Sequence, residues 1–367
     1  MKVAIVHDYL NQFGGAERVL EILHELFPEA PIFTIVYDKR VLPQYANWDI
    51  RPSFVQKIPS ALQGYRNFAF LFPKAVRSFD LKGFDLVISN THAWGKGINL
   101  NNVNALHICY CLTPMRYIWD LYQEYLRYEY INPLTRTILP LWARRMRRWD
   151  IKTSGNVKHY IAISETVSKR IKDYYQKEST VIHPPCDIDF FKPDGSSVQE
   201  DYYLTVCRLK AYKRIDILID AFNQSQLPLK IVGTGPELKR LKQKANKNIE
   251  FLGWVCNEEL LGYYQSCKAF VFAGCEDFGL ALVEAQACGK PVIVYRRGGA
   301  SEIVVEGKTG IFFHKQTPEA LIQAINRFQD VRFDTDYIRE SVLRFGKDKF
   351  KIALHNFIDK KLNIPSS

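Results

Sequence analysis

The chain has 367 residues, 47% of them hydrophobic and 24% charged, enough for two domains that each bury a core, and unlike a disordered chain, a small disulfide scaffold or a polytopic membrane protein. Lys and Arg number 50 against 39 Asp and Glu, a formal net charge of +11, which invites nucleic acid, an anionic membrane surface or a phosphorylated substrate. No apolar run approaches the length of a membrane span and the first ten residues lack a signal-peptide core, so a cytoplasmic chain is expected. The eight cysteines form no C-x-x-C pair and read as reduced thiols.

In chain order, short apolar runs at Val3–Val6, Ile32–Val36, Leu86–Ser89, Ala105–Cys111 and Tyr160–Ile163 alternate with helical patterns, and a second series follows at Tyr203–Cys207, Leu229–Val232, Ile249–Leu252, Ala269–Phe272 and Val292–Tyr295. Such alternation predicts parallel α/β layers. A Pro/Gly/Ser-rich stretch from His183 to Ser197 separates the series and reads as a linker. The expected division is an N-terminal Rossmann-like domain over 1–188, a C-terminal Rossmann-like domain over 189–345, and a helix over 346–367 with Phe350, Leu354, Phe357 and Ile358 on one face. Ligands of such sheets bind beyond the carboxyl ends of the strands.

After the first strand, His7-Asp8-Tyr9 leads to Gly14-Gly15 and a helix, a turn whose bare amides suit phosphate; the G-x-G-x-x-G dinucleotide spacing is absent. Arg136–Lys152 holds six basic residues and one acid, with Ile138, Leu141, Trp142, Met146 and Trp149 at helical spacing. It reads either as a basic interfacial helix at an anionic membrane or as a domain helix packed inward. Asp187-Ile188-Asp189 spells the D-x-D of metal-dependent sugar transferases, but its place in the linker predicts a turn, so no metal site is assigned. In the second half, Arg208 ends a strand and Lys213 follows five residues on, a pair that could clamp a diphosphate. Gly233-Thr234-Gly235 makes a glycine turn after the next strand. Glu276 precedes a helix that contains Glu284, and the amides of Phe278, Gly279 and Leu280 lie between them. Carboxylates suit sugar or ribose hydroxyls, and helix-start amides suit a diphosphate. Asp277-Phe278-Gly279 also spells a kinase triplet, but the other kinase motifs are missing.

Together, Arg208, Lys213, Gly233-Thr234-Gly235-Pro236, the E-x7-E element from Glu276 to Glu284, Gly298-Gly299-Ala300-Ser301-Glu302 and Gly307-Lys308-Thr309-Gly310 resemble the retaining GT-B glycosyltransferases of family 4, in which two Rossmann-like domains face each other across a cleft. Asn90–Gly97 and Tyr110–Asp120 resemble the bacterial mannosyltransferase branch that builds O-antigen and related polysaccharides, except that Leu112 stands where that branch usually has His. The resemblance implies a nucleotide-sugar donor as substrate, with no cofactor. Arg208 and Lys213 would hold its diphosphate. Glu276, with the amides of Phe278, Gly279 and Leu280, would bind the transferred sugar and distal phosphate, and Glu284 the ribose. Gly15, Gly233 and Gly235 would also contact the donor, with Val255 near the base, and His92 would hydrogen-bond the sugar or stabilise developing charge. Lys96, Arg116 and Tyr117 are the acceptor candidates. The expected reaction moves a hexose, mannose from GDP-mannose, to a lipid-linked saccharide in cell-surface polysaccharide or lipopolysaccharide synthesis. It proceeds with retention and without metal, on the inner face of the cytoplasmic membrane. A UDP-sugar enzyme and a non-catalytic nucleotide-sugar or polysaccharide-binding protein are the alternatives; no nucleic-acid recognition module is seen.

Overall fold

The computed structural model describes residues 1–59, 61–100, 102, 104–120, 122–123, 126, 133–195 and 198–362; Ser196 and Ser197 of the expected linker lie outside them. The chain forms two compact units, one of residues 1–184 with 351–367 and one of residues 185–350.

In the first unit the order is β1 (Val3–His7), α1 (Gly15–Leu26), β2 (Ile32–Thr34), β3 (Ile50–Pro52), α2 (Ala61–Gly64), α3 (Phe72–Arg77), β4 (Leu86–Thr91), β5 (Leu106–Cys111), α4 (Pro133–Ser154), β6 (His159–Ala162), α5 (Glu165–Tyr175) and β7 (Ser179–Val181). The seven strands pair in parallel in the order β3-β2-β1-β4-β5-β6-β7. All six residues of β4 are buried, as expected of a central strand covered on both faces. Val19, Leu20, Ile22 and Leu23 of α1 turn to the core, the spacing of an amphipathic helix.

The second unit contains β8 (Tyr203–Val206), α6 (Ile215–Ser225), β9 (Leu229–Val232), α7 (Leu238–Lys244), β10 (Ile249–Gly253), α8 (Asn257–Ser266), β11 (Ala269–Phe272), α9 (Leu280–Ala287), β12 (Val292–Tyr295), α10 (Ala300–Ile303), β13 (Gly310–Phe313), α11 (Pro318–Gln329) and α12 (Thr335–Val342); α13 (Lys347–Leu362) closes the chain. Its six parallel strands are ordered β10-β9-β8-β11-β12-β13. Ile217, Leu218, Phe222, Ile231, Val271, Ile293 and Leu321 belong to its core. These are two α/β Rossmann-like units with parallel sheets.

The units divide at Pro184/Pro185 and Phe350/Lys351 rather than at 188/189 and 345/346. Backbone and ion-pair contacts explain the difference: Cys186 N donates to Phe345 O at 2.8 Å, and Lys347 Nζ donates to Asp187 Oδ2 at 2.6 Å. The 186–188 segment and the 345–347 segment are thereby held in one unit. Asp187 Oδ1 also accepts from Phe190 N at 3.2 Å, the turn chemistry its sequence suggested. In α13, Leu354 and Ile358 are buried, and Lys351 pairs with Glu25 at 2.7 Å.

The expected apolar face of the 136–152 helix is divided. Trp142, Met146 and Trp149 of α4 pack on the first unit's core, whereas Ile138 and Leu141 are 56% and 71% exposed. The outward face therefore carries Ile138 and Leu141 beside the exposed Arg144, Arg145 and Arg148. Arg147 is drawn inward, its Nε donating to Ile118 O at 2.6 Å with its guanidinium over Trp119 and Tyr122.

Candidate functional site

In the second unit the candidate residues converge because four adjacent parallel strands deliver them to one sheet edge. Val255 follows β10, Gly233 and Gly235 follow β9, Arg208 follows β8, and Glu276 to Leu280 follow β11. A Cβ on Gly233 would stand 1.9 Å from Cys207 O, and its φ is +130°; only glycine lets the β9 turn press against the β8 turn here. Gly233 N donates to Gly253 O at 2.6 Å, joining the β9 and β10 turns. Arg208 is exposed on this edge.

Lys213 sits in a single 3-10 turn, Ala211–Lys213, and its Nζ forms an ion pair with Glu276 Oε1. The ammonium also lies over the rings of Tyr212 and Phe272, at 5.2 and 5.9 Å from their centroids. Burial opposes its charge, but Glu276 outweighs that cost and holds the ammonium above the ordinary lysine range. Arg214, directly after it, has φ +55°, an uncommon conformation for a residue with a Cβ. Its bonds from N to Ala211 O at 3.1 Å and from Nε to Asp216 Oδ1 at 3.2 Å keep it there.

α9 begins at Leu280 behind Gly279, and no side chain caps it, so its start offers backbone donors to an anion. The Phe278 ring turns inward against Phe345, 5.2 Å between centroids, so only its backbone is placed for a ligand. Glu284 is not a solvated helix residue: it is 4% exposed, and Tyr264 Oη donates to its Oε2 at 2.9 Å. Tyr264 was missed in the sequence because an aromatic at helical spacing reads as core.

In the first unit β1, β4 and β5 are adjacent, and their carboxyl ends carry Asp8, Gly15, His92, Lys96, Arg116 and Tyr117. Gly15 opens α1, which also lacks a side-chain cap. Asp8 is the group that sequence reasoning passed over. Its buried carboxylate accepts from Thr91 Oγ1 at 2.7 Å and from the amides of His92, Ala93, Trp94 and Gly95 at 2.8 to 3.0 Å. His92 Nδ1 lies 3.0 Å from Asp8 Oδ2. Burial alone would raise the Asp8 pKa; His92, Thr91 and the amide donors prevail and lower it.

Lys96 leaves the acceptor set. It is 2% exposed, ion-paired with Asp150, and donates to Ala93 O at 3.0 Å. Asp150 Oδ2 accepts from Trp119 Nε1 at 2.9 Å and Tyr175 Oη at 2.8 Å, so the pair is a buried brace between α4 and the 95–97 turn. Tyr117 stacks on Trp142 at 6.2 Å and packs against the core. Arg116 is half-buried at the same edge.

Two Rossmann-like units with their candidate ligands at the strand carboxyl ends define the GT-B class of α/β protein. A solved structure of HepE from Anabaena in complex with UDP and glucose shares this fold, with a TM-score of 0.74 over 98% of this chain and 99% of that one at 18% identity. Residues 187–340 match the family model described as Glycosyl transferases group 1, and the chain carries that match within its second unit.

It is similar to an uncharacterised glycosyltransferase of Methanocaldococcus jannaschii, 24% identical over 89% of this chain and 87% of the relative. It is also similar to the O-antigen chain mannosyltransferase C of Escherichia coli, 28% identical over 63% of this chain and 64% of the relative. A third relative is the GDP-mannose-dependent alpha-(1-6)-phosphatidylinositol monomannoside mannosyltransferase of Mycolicibacterium smegmatis, 34% identical over 52% of this chain and 56% of the relative.

Proposed function

We propose that the protein transfers mannose from GDP-mannose to a lipid-linked saccharide of a cell-surface polysaccharide, with retention of configuration and without a metal. The observation that carries this reading is the convergence of Arg208, Lys213, Glu276, the uncapped α9 start and the buried Glu284 on four adjacent strand ends. Cleaving a sugar–phosphate bond leaves an oxocarbenium-like sugar and an anionic diphosphate. Cations and fixed amide dipoles aimed at that phosphate supply the largest stabilisation. Lys213 is held charged by Glu276; when the diphosphate arrives, Lys213 turns part of its hydrogen bonding to phosphate while Glu276 accepts from sugar hydroxyls. Arg208 adds a planar donor fork, and Glu284, oriented by Tyr264, accepts from the ribose.

Retention fits a same-face reaction in which the departing phosphate takes the proton of the acceptor hydroxyl, so no protein nucleophile is assigned. Asp187, the first carboxylate of the D-x-D spelling, is engaged by Lys347 and Phe190, which supports the metal-independent reading. The mannosyltransferase relatives support the donor; the UDP-bound neighbour makes a UDP-sugar the second donor to test.

Among the described residues no helix is long and apolar enough to cross a membrane. The outward face of α4, with Ile138, Leu141 and three exposed arginines, supports peripheral binding to an anionic leaflet, where the lipid-linked acceptor would lie. A panel of GDP-, UDP- and ADP-sugars, read by thermal shift and donor hydrolysis, tests the core of the proposal. GDP-mannose is expected to stabilise the protein and be turned over; stabilisation by none of them, with no hydrolysis, refutes it. Flotation with anionic vesicles is expected to weaken when Arg144, Arg145 and Arg148 become Ser, and unchanged flotation removes α4 from the membrane contact.

A further inference from the structure

The carboxylate of Asp8 is surrounded by donors. Oδ1 accepts from Thr91 Oγ1, Trp94 N and Gly95 N, and Oδ2 from His92 N and Ala93 N. The imidazole Nδ1 of His92 is the sixth group, 3.0 Å from Oδ2. An ionised carboxylate can only accept, so the Nδ1 that faces it must carry the proton. In neutral imidazole that leaves Nε2 with a bare lone pair. The ring is 37% exposed, Nε2 has no hydrogen-bond partner among the described residues, and the edge contact with Tyr9, 5.7 Å between centroids, restrains the ring.

We infer that Asp8 is a positioning residue that keeps a proton on His92 Nδ1, so that in the uncharged ring His92 Nε2 is a hydrogen-bond acceptor for a saccharide hydroxyl rather than a donor to phosphate. The inference rests on the glycosyl-transfer reading for the identity of the ligand, but not for the tautomer. It divides the labour of the two units chemically: positive charge for phosphate resides with Arg208 and Lys213, and the first unit contributes an uncharged acceptor that selects a hydroxyl. Asp8 acts twice, through the imidazole proton and through the four amides that shape the 92–95 turn.

The first test reads the tautomer without activity. Long-range proton–nitrogen correlation spectra of the full-length 15N-labelled protein at pH 8, with the His92 signals assigned by their loss in His92→Gln, are expected to show a protonated Nδ1 and an unprotonated Nε2. A protonated Nε2, as the other tautomer or as imidazolium, overturns the proposal. The second test is kinetic. Gln can place an amide oxygen near the Nε2 position, so His92→Gln is expected to keep kcat/KM within about tenfold of wild type, whereas the shorter His92→Asn loses about 100-fold, the scale of one lost hydrogen bond in a closed site. His92→Asn matching wild type overturns the role of Nε2. Asp8→Asn is expected to populate a protonated Nε2; should that variant fail to fold, the wild-type spectrum still decides the tautomer. If the wild-type protein turns over no sugar nucleotide, the transfer reading fails while the spectrum still reports on Asp8 and His92.

Discussion

In the proposed reaction Glu284 is a buried acceptor for the donor ribose. The Tyr264 hydroxyl donates to it at 2.9 Å, so Tyr264→Phe removes orientation without removing the carboxylate; the KM for the donor is expected to rise about tenfold with kcat nearly unchanged in initial-rate measurements. Lys213 carries the opposite expectation. In the proposed transfer its charge matters most as the phosphate departs, so Lys213→Ala is expected to lower kcat about 1,000-fold with an unchanged circular dichroism spectrum. His107 bears on folding through its burial. It is fully buried, with Nε2 2.9 Å from Ser89 Oγ, and burial pushes its pKa down to about 4 from 6.5. The unfolded chain takes up a proton below pH 6.5 that the fold refuses until about pH 4. Stability from keeping His107 neutral is therefore complete above pH 6.5 and is lost as pH falls through that window, about 3 kcal/mol in all. Urea denaturation at pH 7 and pH 4.5 checks this: His107→Gln is expected to lose less stability than wild type between the two.

The elements of the fold were legible in the sequence mostly where they are apolar runs of four or more residues. Ten runs read as strands correspond to β1, β2, β4, β5, β6, β8, β9, β10, β11 and β12, because buried parallel strands are continuous Val, Ile, Leu and Phe stretches. β3, with the sequence IRP, β7, with STV, and β13, with GIFF, were not read as strands: all three are at sheet edges, the first two have only three residues, and β13 is a four-residue run that opens on a glycine. At the candidate site, the E-x7-E element and the glycine turn were legible because their spacing is local. The Lys213–Glu276 pair, the Asp8 cradle and the Lys96–Asp150 brace join residues far apart in the chain, and charge patterning along the chain does not reveal them. The arginines of α4 divided for the same reason, since only the fold distinguishes Arg147 from its exposed neighbours. Gly233 yields a prediction for the element it permits. Gly233→Ala puts a methyl group into Cys207 O, so the β8 and β9 turns must separate, and donor binding followed by thermal shift is expected to be lost even where the protein remains folded.

At the scale of the whole chain, the last segment returns to the first unit, so that unit is complete only after the second has been made. Leu354 is wholly buried, and Leu354→Ala is expected to cost about 3 kcal/mol in chemical denaturation, although it lies more than 160 positions from the end of the first unit's main segment at Pro184. The brace under the first unit's site has a consequence for comparing relatives. A Cβ at position 97 would lie 2.4 Å from Trp149 Cζ2, and the Lys96 ammonium lies 5.5 Å from the centroid of that same indole. Positions 97 and 149 are therefore coupled: a side chain at 97 requires the Trp149 indole beside the buried lysine to shift or to be replaced. Covariation of these two columns across homologous sequences would mark the chains that keep this turn, and with it the setting of His92.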